Sequence, residues 1–60
     1  MEGILQRFIT ENPQMKNDIE GHSYTSANEL DIYLKNGITI KLELNTLKNR
    51  LEIFDLETPD

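Results

Sequence analysis

The chain has 60 residues, no cysteine and a formal net charge of −5, with eleven Asp and Glu against six Lys and Arg. This length gives room for a single domain, and the lack of cysteine excludes disulfides, zinc ribbons and thiol nucleophiles. The acidic balance disfavours binding to nucleic acid or to anionic membranes, because both would repel the chain. The longest apolar run covers residues 32–34, far below the roughly 20 residues of a membrane span.

Two further features indicate where the protein works. Residues 1–3 lack the basic start of a signal peptide, and the absence of cysteine fits a reducing compartment, so we expect a cytoplasmic protein. Ile, Asn and Lys together number seventeen, whereas Ala, Gly, Pro and Arg number eight. This skew is typical of AT-rich coding, as in a low-GC bacterium or its phages, so an accessory protein of a phage or another mobile element is one hypothesis for its origin.

Residues 3–12 are predicted to form a short helix. Its apolar residues fall at helical spacing and make one stripe: Ile4, Leu5, Phe8 and Ile9. Pro13 ends the helix, because proline disfavours helical geometry at the residue before it. A helix this short is unstable alone in water, so the stripe must pack on another element.

Residues 13–28 are polar and rich in turn-forming residues. We predict mainly a connection here. A short strand at 20–25 is left open as an alternative.

Residues 29–35 and 38–45 are predicted strands, because apolar and polar residues alternate with period two through both. A two-residue turn at Asn36-Gly37 would set Leu34 opposite Thr39 and would mix the two faces of the sheet. A three-residue loop instead pairs apolar residues: Leu34 with Ile38, Ile32 with Ile40, and Leu30 with Leu42. Such a loop needs a residue in the left-handed region, so we predict a positive φ at Gly37.

Residues 51–56 are predicted to form a third strand, whose faces are ambiguous. In a regular strand Leu51 and Ile53 point to one side, whereas Phe54 and Leu56 point to the other. The strand is therefore expected to carry apolar residues on both faces. Residues 57–60 are predicted to be a frayed tail.

Together these elements predict one α+β domain over residues 1–60. Its fold is a short N-terminal helix packed on an antiparallel meander of three strands, or four if 20–25 is a strand. The helix can cover one sheet face, so apolar residues elsewhere are expected to contact a partner. The candidate interaction surface is Tyr33, Leu47, Leu51 and Ile53.

The residues indicate no catalytic, cofactor or metal site. Asp18-x-Glu20-x-His22 would align on one face of a strand and has metal-ligand chemistry, but His22 is the only histidine and a polar loop is the favoured interpretation. Carboxylates on alternating strands are solvated, whereas a general acid needs a buried carboxyl group. We therefore expect that the protein is not an enzyme.

The favoured function is a non-enzymatic protein-interaction module that forms a homodimer or a higher homo-oligomer, with no membrane or direct nucleic-acid partner. The alternative is an acidic inhibitor that imitates nucleic acid and occupies a DNA-binding protein. Net charge is −2 over residues 1–28 and −3 over 29–60, and this spread favours solubility over recognition. A β-ribbon DNA-binding regulator is less favoured still, since the basic residues are unclustered. The patterns are common to sheets and indicate no particular family.

Overall fold

A computed structural model describes residues 3–59 and shows an α+β architecture, as predicted. Over these residues the chain forms helix α1, a 3-10 helix and four strands in the order α1 Ile4–Glu11, 3-10 helix Pro13–Asp18, β1 Ile19–Ser26, β2 Glu29–Leu34, β3 Thr39–Asn45 and β4 Arg50–Glu57. The strands make one antiparallel sheet in the order β1-β2-β3-β4. No helix within residues 3–59 is long and apolar enough to cross a membrane.

The central hairpin of β2 and β3 has the predicted register. Leu30 pairs with Leu42 and Ile32 with Ile40, so the side chains of each pair lie on the same face of the sheet. The Leu34 amide donates to the Ile38 carbonyl over 2.8 Å at the end of the hairpin. Gly37 has a φ of 93°, which confirms the three-residue loop.

The core lies between α1 and the face of β2 and β3 that it covers. Ile4 and Phe8, one helical turn apart, are buried against residues from both strands. The buried strand residues are Leu30, Ile32, Leu34, Ile40 and Leu42. We call this the helix face of the sheet and the opposite side the outer face.

The N-terminal half of α1 is held by the sheet and by one of its turns. The Leu5 amide in the first turn donates to the Tyr24 hydroxyl of β1 over 3.3 Å, which satisfies a backbone donor that helix starts leave free. Arg7 donates from Nη1 to Asn49 Oδ1 over 3.1 Å, and its Nη2 donates to the Asn49 carbonyl. Asn49 has a φ of 52° in the β3–β4 turn, so Arg7 fixes the helix to that turn.

The segment 13–28, predicted as mainly a connection, is instead largely ordered secondary structure. Pro13 begins the 3-10 helix, and β1 runs to Ser26, longer than the strand left open at 20–25. Pairing with β2 slips at Glu20 and again at Thr25, as at a β-bulge. These extra residues break the period-two pattern that would have identified the strand.

The two-sided β4 predicted from regular alternation is wrong, because the strand contains a bulge. Leu42 pairs with Ile53 and the preceding Lys41 pairs with Asp55, so Phe54 is an extra residue. Beyond the bulge, Leu56 pairs with Ile40. Leu51 pairs with Leu44, and cross-strand partners share a face. Residues on both sides of the bulge therefore lie on the helix face.

The predicted frayed tail, 57–60, is also partly wrong. Glu57 belongs to β4 and pairs with Thr39. Pro59 reaches the β2–β3 loop, where a Cβ placed on Gly37 would lie 3.2 Å from Pro59 Cγ. Position 60 lies outside the described residues.

Candidate interaction surface

Strand β4 carries three large apolar side chains that are about half exposed. Ile53 is 55% exposed, Phe54 52% and Leu56 54%. We call these three residues the β4 strip. The pairing of Ile53 and Leu56 with buried β3 residues places both on the helix face, so the strip extends the core sideways to the edge of the sheet.

The strip is exposed because α1 lies over the middle of the sheet. The helix has eight residues, about 12 Å at 1.5 Å per residue, and it packs near β2 and the 3-10 helix. Leu51, at the start of β4, still packs against the core. Ile53 and the rest of the strip lie past the area that the helix covers.

The two edges of the sheet differ in chemistry. Strand β1 has exposed polar residues over most of its length and two slips in its pairing, features that protect an edge from joining another strand. Strand β4 has one bulge and three half-exposed apolar residues. The β4 edge is therefore the more suitable one for a partner protein.

The outer face of the sheet carries most of the net charge. Among the described residues, the pairing places six carboxylates and two cations on this face: Glu29, Asp31, Glu43, Glu52, Asp55, Glu57, Lys41 and Arg50. Six negative and two positive side chains give this face a net charge of −4, and the whole chain has a net charge of −5. The acidic charge that looks evenly spread along the sequence is thus concentrated by the fold.

One row of this face holds three carboxylates side by side. Glu29 pairs with Glu43, and Glu43 pairs with Glu52 on the next strand. Neighbouring strands are about 4.8 Å apart, and like charges placed directly opposite each other destabilise a sheet. The row therefore lowers the stability of the free chain, and a cationic group bound over it would relieve the repulsion.

Hydrogen bonds and ion pairs temper the repulsion. Lys41 Nζ lies 3.5 Å from Glu57 Oε1, and the pKa of Lys41 is raised above its ordinary 10.5, chiefly by the charge of Glu57 and then by that of Asp31. Asn45 Nδ2 donates to Glu52 Oε1 over 2.8 Å. This bond is the largest cause of a lowered pKa at Glu52, against a smaller opposing effect of burial.

The four residues of the predicted interaction surface do not share one face. Leu51 and Ile53 lie on the helix face of β4, where Leu51 is partly buried. Tyr33 pairs with Thr39 on the outer face and is 40% exposed, and Leu47 is 97% exposed in the β3–β4 turn. The predicted surface left out Phe54 and Leu56, because a regular strand places them on the side opposite Leu51 and Ile53.

The other polar side chains of the described residues are mostly engaged or dispersed. A groove of about 350 Å³ lies beside the start of α1, but its polar groups Tyr24 and Arg7 already bond to Leu5 and Asn49. Within residues 3–59 no three His, Asp or Glu side chains are grouped so that they could hold a metal ion. His22 instead makes an edge-on contact with Tyr24, with ring centres 6.0 Å apart.

Comparisons with known proteins give no further guidance. No protein-family model, curated protein or solved structure matches this chain. The chemistry of the two sheet faces is therefore the basis for proposing a function.

Proposed function

We propose that the protein is a small, non-enzymatic, cytoplasmic interaction module that self-associates through the β4 strip. The single observation that carries this proposal is the half-exposed row of Ile53, Phe54 and Leu56 beside the core. Exposed apolar patches that continue a core are typical of protein contact sites.

The thin core gives self-association a second role. Over residues 3–59 the buried core consists of seven apolar residues, and a chain of this size commonly needs disulfides, a metal or a partner subunit for stability. Cysteine is absent. A second copy on the strip would stabilise the native state by mass action, because it binds the folded chain and not the unfolded one.

Light scattering of matched variants tests the proposal. Ile53→Lys puts a charge in the β4 strip, and Tyr33→Lys makes the same charge change at a comparably exposed position on the outer face. At a protein concentration 100-fold above the dissociation constant of the wild-type dimer, we expect dimers for the wild-type chain and for Tyr33→Lys. Ile53→Lys should be monomeric at the same concentration. A dimer that survives Ile53→Lys would refute the strip as the contact.

A second candidate function is supported by the outer face. Its net −4, with the three-carboxylate row on neighbouring strands, favours an acidic surface that imitates nucleic acid and occupies a basic DNA-binding protein. The chain would then use its two faces separately, the strip for self-association and the outer face for the basic partner.

Variants of the outer face distinguish this second function from the first. The triple change Glu43→Gln, Glu52→Gln and Asp55→Asn removes three charges and leaves the strip intact. We expect it to abolish capture of basic DNA-binding proteins from a host lysate, whereas Ile53→Lys retains capture. Binding that is insensitive to salt between 0.05 and 0.5 M, about a threefold change in Debye length, would argue against an electrostatic contact.

A further inference from the structure

We infer that two copies join β4 to β4 in an antiparallel, end-to-end register, with Arg50 opposite the partner's Glu57. This inference rests on the proposed self-association and specifies its geometry. Strand β4 is an edge of the sheet, and an edge strand presents backbone donors and acceptors that another strand can pair with. A two-fold axis at the middle of the strand would make one continuous eight-stranded sheet.

The residues of β4 match themselves when the strand is reversed. Pairing Arg50–Glu57 end to end places Leu51 opposite the partner's Leu56, and Glu52 opposite the partner's Asp55. Leu51 and Leu56 both belong to the helix face, and Glu52 and Asp55 both belong to the outer face. The two bulges meet at the axis, with Ile53 opposite the partner's Phe54. Outside the bulge, every residue keeps its face.

This register also continues the rows of the core through the junction. Within one chain, Leu44 pairs with Leu51 and Ile40 pairs with Leu56. Across the axis, Leu51 would meet the partner's Leu56, so an unbroken apolar row would run from one sheet into the next. The half-exposed side chains of both strips would cover each other.

Charge and side-chain face together favour this register over its neighbours. The end-to-end register sets Arg50 against the partner's Glu57 twice, and the two side chains are 59% and 63% exposed. Within one chain Arg50 lies 3.6 Å from Glu52 and Glu57 lies 3.5 Å from Lys41, so each new pair would extend an existing one. The cost of this register is that Glu52 faces the partner's Asp55.

A shift by two residues in one direction keeps the faces but sets Glu52 against the partner's Glu57 and leaves Arg50 opposite the uncharged Pro59. A shift in the other direction pairs Arg50 with the partner's Asp55, but it sets Glu52 of the outer face against Ile53 of the helix face, so mixed faces exclude it.

Disulfide trapping between single-cysteine chains tests the register, since the natural chain has no cysteine. Directly paired strand residues have Cα atoms about 4.5–5.5 Å apart, within the range that a disulfide bridges. We expect a mixture of Glu52→Cys and Asp55→Cys chains to form mixed disulfides in a glutathione redox buffer. Glu52→Cys alone should form none, because its two copies would lie about 10 Å apart.

A mixture of Glu52→Cys and Glu57→Cys reports on the shifted register. Cross-linking of this mixture in preference to the first would overturn the end-to-end register but would leave self-association in place. If the chain sediments as a dimer but cross-links in neither mixture, the β4 pairing would be wrong, and the proposed self-association would still stand. A wild-type chain that sediments as a monomer would overturn both this inference and the proposed function.

Charge reversal provides an independent measurement on the same dimer. Arg50→Glu would set two carboxylates against each other at both ends of the junction, and we expect it to weaken dimerisation about tenfold. Lys16→Glu in the 3-10 helix makes the same change in net charge on an element that does not pair with β4. Equal weakening by the two variants would mean that net charge, and not the Arg50–Glu57 pair, controls association.

Discussion

Deletion of Phe54 tests most directly whether β4 contains the bulge, because Phe54 is the extra residue of that bulge. Without this residue the strand reads Arg50, Leu51, Glu52, Ile53, Asp55, Leu56 and Glu57, which alternates with period two. Every observed pair with β3 can then form without a slip in register. We therefore expect the shortened chain to fold with the same sheet.

The magnitude follows from the exposure of Phe54. Full burial of a large apolar side chain is worth roughly 1.5–3 kcal/mol, and Phe54 is already 52% exposed, so its deletion forfeits roughly 0.7–1.4 kcal/mol. A regular ladder recovers about 1 kcal/mol for a restored hydrogen bond. The net change is small beside the roughly 3–9 kcal/mol expected for 60 residues.

Deletion of Lys41 is the matched control, since it removes one residue from a central strand. It would turn either Ile40 or Leu42, which are 6% and 1% exposed, towards the outer face. Loss of one such core residue costs about 2–5 kcal/mol, and two or more are displaced together. Urea unfolding followed by circular dichroism should show a cooperative transition for the Phe54 deletion and none for the Lys41 deletion. If the Phe54 deletion also fails to fold, the bulged register is wrong.

Three further predictions concern single side chains. Tyr24→Phe removes the acceptor for the Leu5 amide and should cost about 0.5 kcal/mol of unfolding free energy, whereas Tyr33→Phe should leave the urea midpoint unchanged. Gly37→Ala forces an L residue into the left-handed region and should cost about 1–2 kcal/mol in the same assay; an unchanged midpoint would contradict the observed loop. Glu52 has a lowered pKa in the fold, so its contribution is present above its unfolded pKa near 4.5 and is lost as pH falls through the lowered value. The stability difference between the wild type and Glu52→Gln should accordingly shrink on acidification.

The central strands could be predicted from the sequence because nothing interrupts their alternation. From Leu30 to Leu42 each Leu and Ile packs in or against the core, and the need to keep faces unmixed selected the loop at Gly37. The pattern of apolar residues alone therefore determined the register of this hairpin.

The sheet has the four strands that were left open as an alternative, but the extent of β1 and the faces of β4 differ from the prediction for one shared physical reason. Both contain extra residues, at Glu20 and Thr25 in β1 and at Phe54 in β4. A single extra residue reverses the apparent face of everything beyond it. The sequence does carry a signal for the bulge in β4. The step from Leu51 to Ile53 is two residues, whereas the step from Ile53 to Leu56 is three. One extra residue between Ile53 and Leu56 returns all three side chains to a common face.

The acidic outer face was missed because charge was summed along the chain. Alternation already assigns the polar positions of each strand to the side opposite the core. Counting charge by face, for example Glu29 and Asp31 with Glu43, places these carboxylates together from the sequence pattern alone. By contrast, the placement of α1 over the middle of the sheet rests on the packing of Ile4 and Phe8 and on the hydrogen bonds of Arg7 and Tyr24, tertiary contacts that no local pattern encodes.

Sedimentation equilibrium of the wild-type chain over a concentration series is the decisive measurement of self-association through β4. An eight-residue strand junction is small beside a standard interface of about 1,600 Å², so we expect a dissociation constant in the micromolar range. The weight-average mass should rise from the 7.0 kDa of one chain to twice that value, with Ile53→Lys staying at one chain throughout. A wild-type mass of one chain at every concentration up to the millimolar range would contradict self-association.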